Sequence, residues 1–483
     1  SDKAVAPSPI KAPISPFTPA ELDEGGIEKQ ISDIARSAYL AKSAGYDGIE
    51  VMGSEGYLIN QFLVCHTNKR SDRWGGTYEN RIRFPLEVLK RIRKEVGKNF
   101  LIIYRLSLID LIPEGSSWDE VVHLAKKVES AGANIINSGI GWHEARVPTI
   151  ATSVPKRAFS WVTQKLYGEI SIPIIATNRI NSPQIAEEVL AEKCADLVSL
   201  ARPFLADQDF VKKAKIGKDK EIVPCIACNQ ACLDHTFSMK LTSCLVNPRA
   251  CNETELIYRK ADKSKKIAVV GAGPAGISFS ITASQRGHAV TLFEERPEIG
   301  GQLNYAKMIP GKEEFLGLVD FYKNEIKRLG INLRKNFKVQ KEDLLNFDKV
   351  VLATGVKPRE IKIPGSHLAK NLFSYQEVFE KSTNIGKTVA IIGAGGIGFD
   401  VAEYLASSGR SLTLDLKKWL SEWGVVDPAL ERGGISFDKT IGSKAGDREI
   451  FLLQRRNERL GKRLGKTTGW IHRKSLIKKG VQM

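Results

Sequence analysis

The chain is 483 residues long, room for two to four domains with their own cores, and its 42% hydrophobic and 26% charged content is that of an ordinary globular protein. No run of 18 apolar residues occurs, so no membrane-spanning helix and no membrane partner are expected, and no secretory pattern is visible from Ser1 onward. The net charge of +17 raises the question of nucleic acid, but residues 411–483 hold 16 Lys and Arg against 8 Asp and Glu with no recognition-helix, zinc-finger or RNP-type pattern, so no nucleic-acid partner is expected. A polyanionic small molecule or a solvated basic face accounts for the surplus.

In chain order, residues 1–20 are Pro-rich and extended, and Thr18-Pro19-Ala20-Glu21 reads as a capping box opening a helix. Helical periodicity covers about 27–44, and 47–52 reads as a buried strand followed by a loop and an amphipathic helix over about 79–96. The pattern repeats with strand 100–106 and helix 118–131, then strand 134–138 and helix 156–167. Strand 172–177 precedes helix 183–192, and strand 196–200 precedes a short helix near 207–214. Such alternation indicates parallel β/α structure. Five units are present and a closed TIM (β/α)8 barrel needs eight, so residues 1–215 are expected to form an incomplete barrel in an α/β chain.

Loops after barrel strands carry the chemistry. The first strand is followed by Gly53-Ser54-Glu55-Gly56-Tyr57-Leu58-Ile59-Asn60, the third by Gly139-Ile140-Gly141-Trp142-His143-Glu144-Ala145-Arg146. Tyr57 and His143 on these loops suit a proton-donating pair in which the imidazole orients and polarises the phenol, although each taken singly would pack or cap. Arg105 ends the second strand, Arg179 the fourth and Ala201-Arg202 the fifth, and barrels hold phosphate at their last strands. Surface arginines at strand ends are the alternative, a strained one for three of them.

Residues 216–262 carry Cys225, Cys228, Cys232 and Cys244 at C-x2-C-x3-C-x11-C spacing. Thiolates at this spacing suit an iron–sulfur cube, and structural zinc, with His235 nearby, is the rival. A one-electron carrier fits between two flavin sites, whereas zinc does not. Clustered cysteines with Cys65, Cys194 and Cys251 scattered point to a reducing compartment, the cytoplasm.

Strand 267–270 then leads into Gly271-Ala272-Gly273-Pro274-Ala275-Gly276 and a helix, and strand 290–293 ends at Glu294, placed for a ribose. Gly300-Gly301-Gln302-Leu303 and strand 349–353 closing on Thr354-Gly355 fit a flavin domain over 263–380. A second strand, 388–392, opens Gly393-Ala394-Gly395-Gly396-Ile397-Gly398 with helix 399–407 behind it. The later strand 449–453 ends in Gln454-Arg455-Arg456 with no acidic residue, so residues 381–483 are expected to bind NADPH through Arg455 and Arg456, unless these belong only to the basic surface.

With these residues in view, the chain resembles bacterial NADPH-dependent 2,4-dienoyl-CoA reductases of the old-yellow-enzyme and trimethylamine-dehydrogenase group. GSEGYLIN, RSDRWGG, IIYRLS, GIGWHEAR, ARPFLAD, CIACNQACLD, SCLVNPRAC, GAGPAG and GKTTGWIH match the pattern of that group. The resemblance implies Tyr57 as proton donor with His143 as its partner, and Arg105, Arg179, Ala201 and Arg202 on FMN. It places Glu144, Ala145 and Arg146 at the acyl-CoA substrate, with His66 standing where the family has an arginine, which bears on CoA affinity. Cys225, Cys228, Cys232 and Cys244 would hold a [4Fe-4S] cluster, and Gly276, Glu294 or Glu295, and Gln302 would contact FAD. The implied reaction, part of unsaturated fatty acid β-oxidation, carries electrons from NADPH to FAD, cluster, FMN and substrate in a monomer.

The family barrel begins upstream of Ser1 and its FAD domain closes beyond Met483, so the chain is expected to be a fragment that does not turn over alone. The alternatives are an amine dehydrogenase, for which the Tyr57 and His143 loops show no aromatic cage, a 2-enoate reductase, or a cofactor-binding remnant without catalysis.

Overall fold

A computed structural model of the chain describes residues 4–359, 363–380, 385–436 and 446–483, which fall into two compact units. The first takes in the described residues of Ser1–Ile150, Val154–Leu200 and Leu416–Gly442. Its strands β1 (Gly48–Gly53), β2 (Leu101–Ile109), β3 (Ile135–Ile140), β4 (Ile174–Ala176) and β5 (Leu197–Val198) pair in chain order and run parallel. Parallel neighbours require crossover connections, and helices supply them. Helix α1 (Glu24–Ser43) buries Ile27, Ile31, Ala35 and Ala38 at four- and three-residue spacing, the period of one helical face. Helix α2 (Arg83–Val96) buries Phe84, Val88, Leu89 and Ile92 and stops at Gly97, whose φ of 75° suits glycine. Helix α3 (Trp118–Ser130) opens on a capping box between Ser117 and Glu120. The unit is the incomplete TIM-type barrel that the alternation predicts.

Two local expectations fail for identifiable reasons. Ala20–Glu21 pairs in parallel with Val5–Ala6, which engages the Ala20 and Leu22 amides on Ala4 and Ala6 carbonyls, so the Thr18 box does not form. Asp23 caps α1 instead, its Oδ1 accepting from the Gly26 amide at 2.7 Å. The helix expected over 79–96 is also split, into Tyr78–Arg81 and α2 with Ile82 between them.

Residues 381–483, expected as one nucleotide-binding block, lend residues 416–436 to the first unit. There Trp419 is 1% exposed and meets the Phe159 ring edge-on at 6.0 Å. The Leu111 amide donates to the Gly433 carbonyl at 2.7 Å and the Gly433 amide to the Ser116 carbonyl at 2.9 Å. A Cβ at Gly433 would lie 2.2 Å from the Ile112 carbonyl oxygen, so only glycine permits this approach. Arg432 and Arg81 hold opposite oxygens of Glu120 at 2.6 and 2.8 Å.

The second unit takes in Ala151–Ser153 and the described residues of Ala201–Asp415 and Ser443–Met483. It contains β6 (Lys266–Val270), β7 (Ala289–Phe293), β8 (Asn332–Arg334) and β9 (Lys349–Leu352), in the parallel order β8-β7-β6-β9. This is the mononucleotide-binding order, with helix α4 (Pro274–Gln285) after β6. A parallel pair, β10 (Thr388–Ile392) and β11 (Glu449–Leu453), brackets helix α5 (Gly396–Ala406). Ile226, Cys228 and Val246 pack into the core beneath β6 and β7, so the cysteine segment is built onto the first nucleotide-binding half.

The contacts at Trp419 carry a prediction for stability. Trp419→Ala should remove about 3–5 kcal/mol from the first unit by opening a cavity against Phe159. Urea unfolding followed by hydrogen exchange at β2 reads this out, and an unchanged midpoint would exclude the segment from that core.

Candidate active site

The loop after β1 turns sharply at Glu55 and Gly56, with φ of 64° and 84°. A Cβ on Gly56 would stand 2.7 Å from the Trp142 ring and 3.2 Å from His143 Nε2, so glycine lets the two expected loops meet. Tyr57 then stands just before the helix Leu58–Leu63, without a capping hydrogen bond from its side chain, and stays 49% exposed. Its ring meets that of His143 edge-on with centroids 5.4 Å apart. The two residues read as a proton-donating pair therefore do share one site.

His143 keeps an edge open to solvent, yet burial of its imidazole still lowers its pKa, against the upward pull of Glu144 and of a hydrogen bond involving the Gly56 backbone. Glu144 is nearly enclosed, with 8% of its side chain exposed, and its Oε1 lies 3.8 Å from His66 Nε2. Its Oε2 is buried without a hydrogen-bond partner. Ala145 is buried and its amide donates to the Trp142 carbonyl, while Arg146 is exposed. Trp142 is turned inward, its indole N–H donating to Asp110 at 3.0 Å, so it steadies the loop instead of walling a cation cage.

Arg105 reaches this loop from β2. It donates to Glu55 at 2.7 Å, with Glu50 at 3.7 Å and Asn137 bonded to Glu50 at 2.7 Å. Burial raises the Glu55 pKa while Arg105 opposes it. Glu55 is a site residue not among the expected ones, and its signal in the sequence is an acid in a strand-end loop opposite an arginine. Beyond β4 the backbone is left-handed at both Asn178 and Arg179, with φ of 69° and 58°, and Arg179 Nε donates to the Val154 carbonyl at 2.9 Å. Strain of this kind is held only where surrounding structure demands it.

In the second unit, Ala201 precedes the helical turn Arg202–Ala206, and Arg202 donates to Asn229 Oδ1. Arg202, Cys225, Cys228, Cys232 and Cys244 line one cavity. The structure therefore sets Arg202 against the cysteine loop. Burial raises the thiols of Cys228, to about 11, and of Cys232 and Cys244. Backbone amides counter this: Gln230 on Cys228, Leu233 on Cys232, and Val246 with Asn247 on Cys244. Amide donors aimed at buried sulfurs stabilise thiolates and fit a cluster loop. Among the described residues no three His, Cys, Asp or Glu converge on one metal ion.

Both dinucleotide fingerprints show the division of labour that glycine permits. A Cβ at Gly276 would lie 1.9 Å from the Gly271 carbonyl oxygen and one at Gly398 1.8 Å from that of Gly393, whereas Gly273 and Gly395 face open space at the starts of α4 and α5. Glu294 accepts the Ala272 amide at 2.9 Å and the Arg296 amide at 3.0 Å, so it shapes the first loop while keeping spare acceptor capacity. The Gly300 amide binds the Ala272 carbonyl at 2.7 Å, bringing exposed Gln302 to that loop; Glu295 is exposed. Arg455 and Arg456 share a cleft of about 260 Å³ with Gly393, Gly395, Glu458, Lys462 and Arg463.

An FMN-type barrel followed by dinucleotide folds defines a flavin-dependent, NAD(P)H-linked oxidoreductase. Residues 1–221 match the NADH:flavin oxidoreductase / NADH oxidase family and residues 265–483 match pyridine nucleotide-disulphide oxidoreductase. The chain belongs to the NADH:flavin oxidoreductase / NADH oxidase family, in the form that carries the second module. It is 38% identical to a metal reductase of Desulforamulus reducens, over 97% of this chain and 69% of that protein. It is 31% identical to a cinnamate reductase of Clostridium sporogenes, over 85% of this chain and 64% of that one. A solved 2-naphthoyl-CoA reductase bound to 2-naphthoyl-CoA superposes with a TM-score of 0.87 at 31% identity, covering 99% of this chain and 68% of that chain. The chain thus spans about two thirds of the length of these relatives, and no helix among the described residues is long and apolar enough to cross a membrane.

The lowered pKa of His143 sets a pH dependence. The imidazole should stay neutral at its ordinary 6.5 and charge only below it, so its contribution to stability is present above that pH and lost as pH falls. Glu144→Gln removes the carboxylate that pulls the other way and should move the His143 titration to still lower pH, as read by imidazole NMR.

Proposed function

We propose that the chain is the catalytic part of a reductase that saturates a carbon–carbon double bond conjugated to an acyl carbonyl, with 2,4-dienoyl-CoA as the favoured substrate and free 2-enoates as the second choice. The pairing of half-exposed Tyr57 with His143 carries this reading. Relatives named for cinnamate and for a naphthoyl thioester support it, since both compounds are unsaturated next to an acyl carbon.

FMN, FAD and a [4Fe-4S] cluster, when bound, supply the redox chemistry that carries the reducing equivalents of NADPH. The protein's part is proton delivery and placement. Hydride addition to a conjugated acyl chain leaves charge delocalised onto the carbonyl, and an acid fixed beside that chain quenches it faster than bulk water. Tyr57 gives the phenolic proton, and neutral His143 orients the hydroxyl. Cys225, Cys228, Cys232 and Cys244 would hold the cluster, and the amides of Gln230, Leu233, Val246 and Asn247 would support the thiolates of Cys228, Cys232 and Cys244.

In a longer chain that also carries the strands closing the barrel, Tyr57→Phe should lower turnover of a 2,4-dienoyl-CoA by about a hundredfold with KM little changed, assayed anaerobically with NADPH beside enoates and tertiary amines. Oxidation of an amine with no thioester or enoate reduced would sink the proposal. For the metal centre, Cys244→Ser should lose iron and acid-labile sulfide while Cys251→Ser, on an exposed turn, retains both. Stoichiometric zinc without iron would contradict the cluster.

A further inference from the structure

The chain after β11 brings an acid into the second nucleotide cleft. Gln454 donates from its side chain to the Arg456 carbonyl at 3.0 Å and also to the Glu458 carbonyl, folding the strand end back on itself. Glu458 thereby enters the cleft beside Gly393 and Gly395, with 22% of its side chain exposed. The turn at Gly461 has φ of 78°, and a Cβ there would lie 2.9 Å from Phe399 of α5, so the returning chain is pinned to the helix. It presents Lys462 at 3.6 Å and Arg463 at 3.2 Å to the two carboxylate oxygens of Glu458.

In folds of this kind a carboxylate near the end of the second strand binds the ribose 2′-hydroxyl of NADH, and arginine or lysine binds the 2′-phosphate of NADPH. This cleft holds both. Lys462 and Arg463 are 66% and 61% exposed, and ion pairs so open to water are worth about 1 kcal/mol at most, so they exchange partners at little cost.

We propose that Glu458, Lys462 and Arg463 form a selector that admits both dinucleotides, an inference that rests on reading this cleft as the NAD(P)H site. With a 2′-hydroxyl, Glu458 accepts its hydrogen bond while the two cations keep the carboxylate neutralised. With a 2′-phosphate, Lys462 and Arg463 leave Glu458 and pair with the phosphate, and their charge outweighs its repulsion.

Equilibrium titration of the purified chain with NAD⁺ and NADP⁺, in the absence of any acyl substrate, tests the selector separately from the reductase reading. The unaltered chain should bind both. Glu458→Gln should weaken NAD⁺ by about tenfold and hold or tighten NADP⁺. Lys462→Ala with Arg463→Ala should weaken NADP⁺ by about tenfold or more with NAD⁺ nearly unchanged, and should flatten the salt dependence of NADP⁺ binding. Equal effects of either substitution on the two dinucleotides, or binding of only one or of neither by the unaltered folded chain, would overturn the proposal. The double substitution lies on an exposed turn and remains informative if Glu458→Gln fails to fold.

Discussion

Parallel pairing is the constraint on which both units depend. Strands that run the same way deliver all their carboxyl ends to one edge, and each connection must cross back over a face before the next strand begins. In the first unit that edge gathers Glu55, Gly56 and Tyr57 after β1, Arg105 within β2 and His143 after β3. In the second it sets Gly271 after β6 and Gly393 after β10 at the starts of their helices. Neither arrangement needs the functional residues to be near one another in sequence. It needs only strand order and register, which the pairings of Gly48 with Leu101 and of Thr388 with Glu449 establish.

Charge on these edges is managed by partners instead of by dilution in solvent. Glu50, Arg105 and Glu55 balance one another at the strand ends of the barrel, and Asn137 donates to Glu50. Glu144 is an exception: its Oε2 is buried and unbonded, while its Oε1 lies 3.8 Å from His66 Nε2. An unpaired buried acceptor costs on the order of 1–3 kcal/mol, and such a cost is tolerated most readily where a bound molecule relieves it.

Much of this was legible in the residues. The apolar run 450–453 between Glu449 and Gln454 marks β11 to within a residue of its observed start, and the two glycine fingerprints are cradles because strand and helix flank them. Tyr57 and His143 could be paired because both follow strands. What escaped depends on where a chain goes after it leaves a regular element. The turn held by Gln454 brings in Glu458, although the strand end itself shows no acidic residue. Thr18 lost its capping role to a pairing with residues far upstream of the helix, which no local pattern encodes. Leu416, Trp419, Leu420 and Trp423 mark an amphipathic helix, but nothing in the local pattern tells that it closes a core formed by residues far upstream.

That last feature makes chain synthesis part of the folding problem. Arg432 meets Glu120 across 312 residues, so a ribosome adding roughly 5–20 residues per second leaves the barrel core without its closing segment for roughly 15–60 s. During that interval β6, β7, β8 and β9 emerge complete and can pair, while Phe159 waits without its indole neighbour. The later-made unit therefore has its first sheet before the earlier-made unit can bury its interior. An apolar surface left open for so long on a nascent chain is the kind that chaperones hold, and pauses in translation between β9 and Trp419 would lengthen its exposure.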